Sequence, residues 1–401
     1  MPITCAQLED PLEVISSLAA LQLRVFNSVS IDRLTYSMEV TPTSKVALIT
    51  GVTGQTGSIL ADLLLGLGYE VHGITRGSPS DVPTRLAHIM AGHESSMKHR
   101  FTLHHCDILD IQAFSEILLA TKPAELYNLA AQSSVSVSFK QPHETFRVDG
   151  LGVLNVLETV RLFLPTVRVF QASSSEIFGK ATTSPQTETT KPHPCSPYAN
   201  AKLVAHTLAR VYREAYNLHV CSGVLYNHES SRRGGNFVTQ KIARAAVKIS
   251  LGLQKTLELG NLDSCRDWGH AKDFADCIWK MMQTDVAEDF IVATGETHTV
   301  RDFAKKSFAV VGIEVEFQGT GIHEVGLHSK DGSIIIKVNS NFFRPTEPVH
   351  IVGDASKALQ KLYWRPSYSV TELVEEMVSA QKKEISKEFE LDSLSNLDRP
   401  K

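Results

Sequence analysis

Apolar residues never run for the roughly 20 positions that a membrane span needs, and no basic stretch followed by an apolar one opens the chain. Neither a membrane protein nor a secreted one is expected on that pattern. Basic residues are not in excess: the 40 Lys and Arg stand against 44 Asp and Glu and nowhere form a run. That balance argues against a nucleic-acid partner. Cysteines are scarce and scattered. Cys5, Cys106, Cys195, Cys221, Cys265 and Cys277 include no C-x-x-C pair and have no histidines clustered beside them at metal-ligand spacing. Neither a disulfide framework nor a bound metal is expected; reduced thiols in a cytoplasmic protein are. No internal repeat or low-complexity segment stands out.

What remains is an ordinary globular balance, 42% hydrophobic and 21% charged residues over 401 positions, enough for two or three packed domains. Residues 1–44 read as an extension. Asp10 can cap a short helix with Pro11 at its first position, and Thr41-Pro42-Thr43-Ser44 reads as a linker. From Lys45 onward, short apolar runs alternate with helical periodicity. Strands are expected at Val46–Thr50, Glu70–Ile74, Phe101–His105, Leu126–Leu129, Val167–Gln171 and Val220–Leu225. Helices are expected at Ser58–Leu67, Ile111–Leu119, Val148–Phe163 and Pro197–Tyr216. This alternation predicts an α/β fold with a Rossmann-type, doubly wound parallel sheet. It would occupy 45–225, with 271–311 returning to it. A smaller C-terminal substrate-binding lobe is expected from 226–270 and 312–382, and 383–401 reads as a charged tail, a frayed helix or disordered.

Gly51-Val52-Thr53-Gly54-Gln55-Thr56-Gly57 follows the first strand and opens a helix. Glycines there allow a tight turn and close backbone approach to a pyrophosphate, and the helix N-terminus offers unpaired N–H groups to it. A dinucleotide is therefore expected on this turn. The second strand ends at Ile74-Thr75-Arg76, with Ser78 close behind. An NAD site carries an acid in this region, about 20 residues past the fingerprint. A guanidinium suits a 2′-phosphate instead, so the expected cofactor is NADP. Asp107, followed by Ile108, would take the adenine amino group. Leu129, Ala130, Ala131, Gln132 and Ser133 follow the fourth strand and would let the cofactor lie against the strand ends.

Tyr198 and Lys202 are four apart at the start of a helix, which puts both on one face. A nearby ammonium favours the phenolate and makes a tyrosine a usable base near neutral pH. Gln171-Ala172-Ser173-Ser174-Ser175-Glu176 ends the preceding strand, and residues at the carboxyl ends of parallel strands face the ligand crevice. Ser174 would bond a substrate hydroxyl. Glu176 is a second base, which a simple alcohol dehydrogenase does not need.

These motifs resemble the extended short-chain dehydrogenase/reductases. Within them, residues 171–179, 227–239, 259–263, 266–273 and 342–347 resemble the GDP-mannose 4,6-dehydratase family. The likeness covers about 45 to 380. It implies Ser174, Glu176, Tyr198 and Lys202 as catalytic residues and His228 and Arg233 as cofactor contacts. It further implies Ser133, Ser174, Asn227, Lys241, Arg266, Arg344 and Glu347 around GDP-mannose, and a homodimer or homotetramer. The implied reaction oxidises C4 of the sugar, deprotonates C5 with loss of the C6 hydroxyl as water, and returns hydride to C6. Several positions depart from the family pattern. Thr56 replaces an acid, Gly77 a second arginine, Ser174 a threonine, Phe178 a tyrosine, Ser231 a proline, and Glu144 a tyrosine associated with the cofactor. Ser175 stands where related hydro-lyases carry an aspartate. A reductase or epimerase of a related nucleotide sugar, and a non-catalytic paralogue that binds nucleotide sugar or NADP, remain open alternatives.

Overall fold

The computed structural model describes residues 45–77, 84–91, 98–344, 346 and 351–397, with side chains up to 388. The extension 1–44, Ser78 and Glu347 lie outside the described residues. Among the described residues no helix is long and apolar enough to cross a membrane.

Short runs rich in Val, Ile, Leu and Phe form strands β1 (Val46–Thr50), β2 (Glu70–Thr75), β3 (Phe101–His105), β4 (Glu125–Asn128), β5 (Arg168–Ser174) and β6 (Val220–Leu225). Four short strands follow, β7 (Asn227–Glu229), β8 (Leu257–Leu259), β9 (Cys265–Arg266) and β10 (Trp268–His270), and then β11 (Asp289–Val292). One sheet runs in the order β11-β6-β5-β4-β1-β2-β3, and every pairing in it is parallel. The winding reverses between β1 and β4. In such a sheet the ligand crevice lies outside the strand ends at that switch point.

Both faces are covered, as a parallel sheet requires. Successive residues of β1 point to opposite sides, so Ile49 joins one buried cluster and Leu48 another. Helices α1 (Gln55–Gly66) and 271–281 cover the first face; helices 111–121, 152–163 and 197–216 cover the second. A third cluster gathers Ile242, Trp268, Phe303, Ile336 and Met377. It lies under the sheet of β12 (Val315–Gln318), β13 (Val325–His328), β14 (Ile334–Val338) and β8.

Three expectations are corrected and one is narrowed. The return to the large sheet takes in the helix 271–281 and β11, whereas Phe303 and Phe308 of helix 300–310 pack in the third cluster. Ile351, Ala358, Leu362 and Trp364 pack in the first cluster, although the sequence places 312–382 in the smaller lobe. Apolar spacing marks a segment for burial without saying against which core. Of the two readings of the tail, a frayed helix or disorder, residues up to 397 take the helical one, at the end of a helix spanning Val370–Leu397 with Ile385 buried. Finally, the helix expected from Val148 starts at Gly152, after a π-helical turn over Arg147–Leu151. Single widened turns of this kind frequently occur at functional sites.

Candidate active site

The site grows from the carboxyl edge of the large sheet. Pairing aligns Thr50 with Asn128 and Asn128 with Gln171. Thr50 Oγ1 donates to Asn128 Oδ1 at 2.6 Å, and Asn128 Nδ2 donates to Gln171 Oε1 at 2.8 Å. Thr50 Oγ1 also accepts from the N–H groups of Leu129 and Ala130, both at 3.1 Å. This buried ladder brings the two strand ends together so closely that Gly51 has no room for a side chain. A Cβ there would lie 2.9 Å from Ala130 Cα, and φ is +67°, a conformation natural to glycine. Gly57 is equally constrained, because its Cβ would lie 2.4 Å from Gly51 O. Gly54 is exposed, and α1 starts behind it with no side-chain cap. The first N–H groups of the helix are thus offered to an anion.

The segment after β6 locks this turn. Gln55 Nε2 donates to His228 O at 2.8 Å, and Ser230 Oγ donates to Gln55 Oε1 at 2.8 Å. His228 Nδ1 bonds Tyr226 O at 2.8 Å; a carbonyl only accepts, so Nδ1 carries the proton. Thr56 then donates to the bare Nε2, at 2.7 Å. Burial, helped by the Arg233 cation, pushes the His228 pKa down to about 4. The ring is neutral and stacks on Phe274 with centres 4.6 Å apart.

The neighbouring side chains of the second half come from β5 and the helix Pro197–Tyr216. Ser196 caps that helix by accepting from Ala199 N at 3.0 Å, and Pro197 occupies its first turn. Tyr198 and Lys202 follow, both buried. Burial raises the Tyr198 phenol well above its ordinary pKa, with Asp149 and Glu176 pushing the same way, while a hydrogen bond with Ser174 and the Arg233 cation pull it down. Lys202 Nζ donates to Ala172 O at 3.0 Å and stands 5.9 Å from the Tyr198 ring centre, so its cation lies beside the phenol together with Ser174 and Arg233.

Ser174 ends β5, and its Oγ accepts from Glu176 N at 3.3 Å. That bond closes the turn carrying Glu176. Glu176 Oε1 accepts from Arg344 Nη1 at 3.2 Å, whereas Oε2 is buried with no partner among the described residues. In the same cleft, Lys241 Nζ lies 3.8 Å from the Phe342 ring centre, and burial lowers its pKa. Arg233 pairs with Glu229 at 2.9 Å and lies over Phe237. Arg266 Nη1 donates to Cys265 O at 2.7 Å.

Of the expected residues that are described, all but Gln132 line a single cleft of about 1390 Å³. Gln132 is spent on its own loop: Nε2 donates to Ser134 O and Thr145 Oγ1 at 3.0 and 3.1 Å, and Oε1 accepts from Ser134 N at 2.8 Å. Two further residues matter here. Phe342 lies in the segment 342–347, where the sequence assigns it no role. Asp149 is fully buried, accepts from Gln132 N at 2.7 Å through Oδ1, and leaves Oδ2 unpartnered among the described residues. An acid set between Val148 and Gly150 in an otherwise apolar segment was its signal. The cleft has the features of a dinucleotide site: a turn with no space for Cβ atoms, an uncapped helix start, and a buried ammonium at Lys202.

Residues 48–377 match the family described as GDP-mannose 4,6 dehydratase. The GDP-mannose 4,6 dehydratase of Cricetulus griseus is 47% identical over 338 residues, 84% of this chain and 91% of that protein. The solved dTDP-glucose 4,6-dehydratase of Bacillus anthracis, in complex with NAD, is similar in fold, with a TM-score of 0.69 at 19% identity over 85% of this chain and 97% of that one. The RMD of Pseudomonas aeruginosa, complexed with NADPH, gives 0.67 at 20% identity over 85% and 100%.

Proposed function

This chain belongs to the GDP-mannose 4,6-dehydratase family, and we propose from that premise that it converts GDP-mannose into GDP-4-keto-6-deoxymannose. Glu176 carries this reading. It brings a carboxylate oxygen that is buried and unpartnered among the described residues to the strand end that also holds Ser174. Oxidation of an alcohol needs one base; elimination next to the new ketone needs a second.

A bound nicotinamide dinucleotide supplies the hydride acceptor for C4 and the hydride donor for C6. Tyr198 takes the O4 proton, and Ser174, already bonded to it, orients O4. Lys202 holds the nicotinamide ribose. With C4 a ketone, the C5 proton becomes acidic because its carbanion is an enolate, and Glu176 removes it. Ser175 cannot donate as an acid, so Glu176 passes its proton to the leaving C6 hydroxyl, which departs as water. One proton returns to C5, balancing the one that Tyr198 took. Arg266, Arg344 and Lys241 are cations suited to the diphosphate, since charge-assisted bonds to phosphate are among the strongest available; Asn227 and Ser133 complete the pocket. His228 and Arg233 support the cofactor side.

Arg76 supports NADP as the cofactor, because its guanidinium can hold a 2′-phosphate. We extend the proposal to a cytoplasmic homodimer or homotetramer. Phe146, Leu151, Val204 and Val211 are exposed apolar residues that a second copy would cover, and sedimentation velocity tests this. The function itself is tested by incubating the protein with GDP-mannose and NADP⁺ and weighing the sugar nucleotide. A product lighter by one water, with no net reduced cofactor, is expected. An unchanged mass with isomerised sugar would indicate an epimerase, and a mass gain of two hydrogens, with added reduced cofactor, a reductase.

A further inference from the structure

The adenosine end of the cleft carries an arrangement that sequence reasoning did not anticipate. Arg76, at the end of β2, lines the cleft together with Asp107, at the end of β3. Its Nη1 lies 3.9 Å from Asp107 Oδ2 and 3.5 Å from Glu144 Oε1. Glu144 comes from the short helix Pro142–Phe146, and its other oxygen lies 3.4 Å from Arg147 Nη1. A pair between Glu144 and Arg147 alone would be an ordinary surface contact within one helical stretch. The bridge to Arg76 is different, because it joins two distant parts of the chain at the position expected to read the 2′ group of the cofactor.

Two carboxylates and two guanidinium groups leave this cluster with no net charge. Gly77 adds no cation; its N–H is turned back onto Thr75 Oγ1 at 3.1 Å. A 2′-phosphate entering here would gain Arg76 but meet Asp107 and Glu144, and it would have to displace Glu144 from the guanidinium. A 2′-hydroxyl meets no such opposition, and carboxylates accept hydrogen bonds from ribose hydroxyls.

Resting on the reading of the cleft as a nicotinamide dinucleotide site, we propose that Glu144 sets cofactor selectivity by neutralising Arg76, so that the protein accepts NAD as well as NADP. All four side chains are well exposed, so water screens them and the effect is limited. One charge at such a distance is worth roughly fivefold to tenfold in affinity.

Equilibrium titration calorimetry with NADP⁺ and NAD⁺, at one fixed ionic strength, tests this without turnover. The unaltered protein should bind the two within about tenfold of each other. Glu144→Gln should tighten NADP⁺ by about tenfold and leave NAD⁺ nearly unchanged. Arg76→Ala should weaken NADP⁺ more than NAD⁺. An NADP⁺ preference of a hundredfold or more in the unaltered protein, or an unchanged preference in Glu144→Gln, overturns the proposal. If neither dinucleotide binds any of the three proteins, the cofactor reading itself fails, and this inference with it.

Discussion

Arg344 Nη1 donates to Glu176 Oε1 across 3.2 Å, joining two residues 168 positions apart in the chain. One is the cation proposed for the substrate diphosphate and the other the base proposed for C5. A diphosphate carries more negative charge than one carboxylate and would draw the guanidinium to itself, leaving Glu176 without its cation when substrate is bound. Arg344→Gln should therefore weaken GDP-mannose. A charge-assisted hydrogen bond contributes about 1.5–3 kcal/mol, so KM should rise roughly tenfold to hundredfold. Calorimetric titration with GDP separates the diphosphate term from the sugar; undiminished GDP affinity would remove Arg344 from the diphosphate site.

Glu176→Gln keeps the size and the bond to Arg344 through its amide oxygen, but it cannot take a proton. Cofactor binding should survive, because the nucleotide turn at Gly51–Gly57 lies on other elements. Exchange of the C5 hydrogen with deuterated water should fall by roughly a hundredfold to ten-thousandfold, the usual contribution of a positioned base. Mass spectrometry of recovered sugar nucleotide reads this directly. Exchange at the unaltered rate would place the C5 base elsewhere.

Tyr198 is held protonated by burial, with its pKa raised above the ordinary value. If it is the base for O4, the first oxidation should accelerate as pH rises through the neutral range, since more of the phenol becomes ionised. Tyr198→Phe should abolish that limb along with the oxidation. Stopped-flow absorbance at the reduced nicotinamide band, after mixing with substrate, measures both. A burst in the phenylalanine variant would exclude Tyr198.

Much of this organisation is legible in the sequence. The runs Val46–Thr50 and Val220–Leu225 coincide with observed strands, because a strand buried on both faces reads as a largely apolar run; Phe101–His105 coincides as well, as a partly buried edge strand. Gly51 and Gly57 announced a turn, and the close approach of Ala130 and of the turn's own backbone explains why no other residue fits. What escaped depends on partners distant in the chain. Trp364 reads as a buried residue from its type alone, yet only the fold shows it on the first core, with Nε1 donating to Asp273 O at 3.0 Å. The bridge between Arg76 and Glu144 joins two charges whose spacing carries no periodic signal. Lys202 lies beside Tyr198 on the helix as its spacing predicts, but spacing could not reveal that one of its three N–H groups is held by Ala172 O.

Asp149 makes a prediction of unusual sign. Burial raises its pKa to about 6, although the Lys202 cation and the bond from Gln132 N oppose the shift. An unfolded aspartate titrates near 3.9. A folded pKa above the unfolded one means that the group's contribution to stability is fully present below about pH 4 and is lost as pH rises through about 6. Above that, the protein carries a buried charge that the unfolded chain would hold in water. Asp149→Asn keeps an oxygen for Gln132 N and never ionises. It should be the more stable protein at pH 8, by at most roughly 3 kcal/mol, and should lose that advantage progressively below pH 6. Urea midpoints measured from pH 4 to 8 decide this, and parallel curves for the two proteins would overturn it. The carboxylate also helps to keep the buried Lys202 charged against the burial that lowers its pKa. The same substitution should therefore bring the alkaline fall in activity to lower pH, so that the gain in stability is coupled to a loss at the Tyr198–Lys202 pair. An activity profile unmoved by Asp149→Asn would leave Asp149 a buried acid with no part in setting the charge on Lys202.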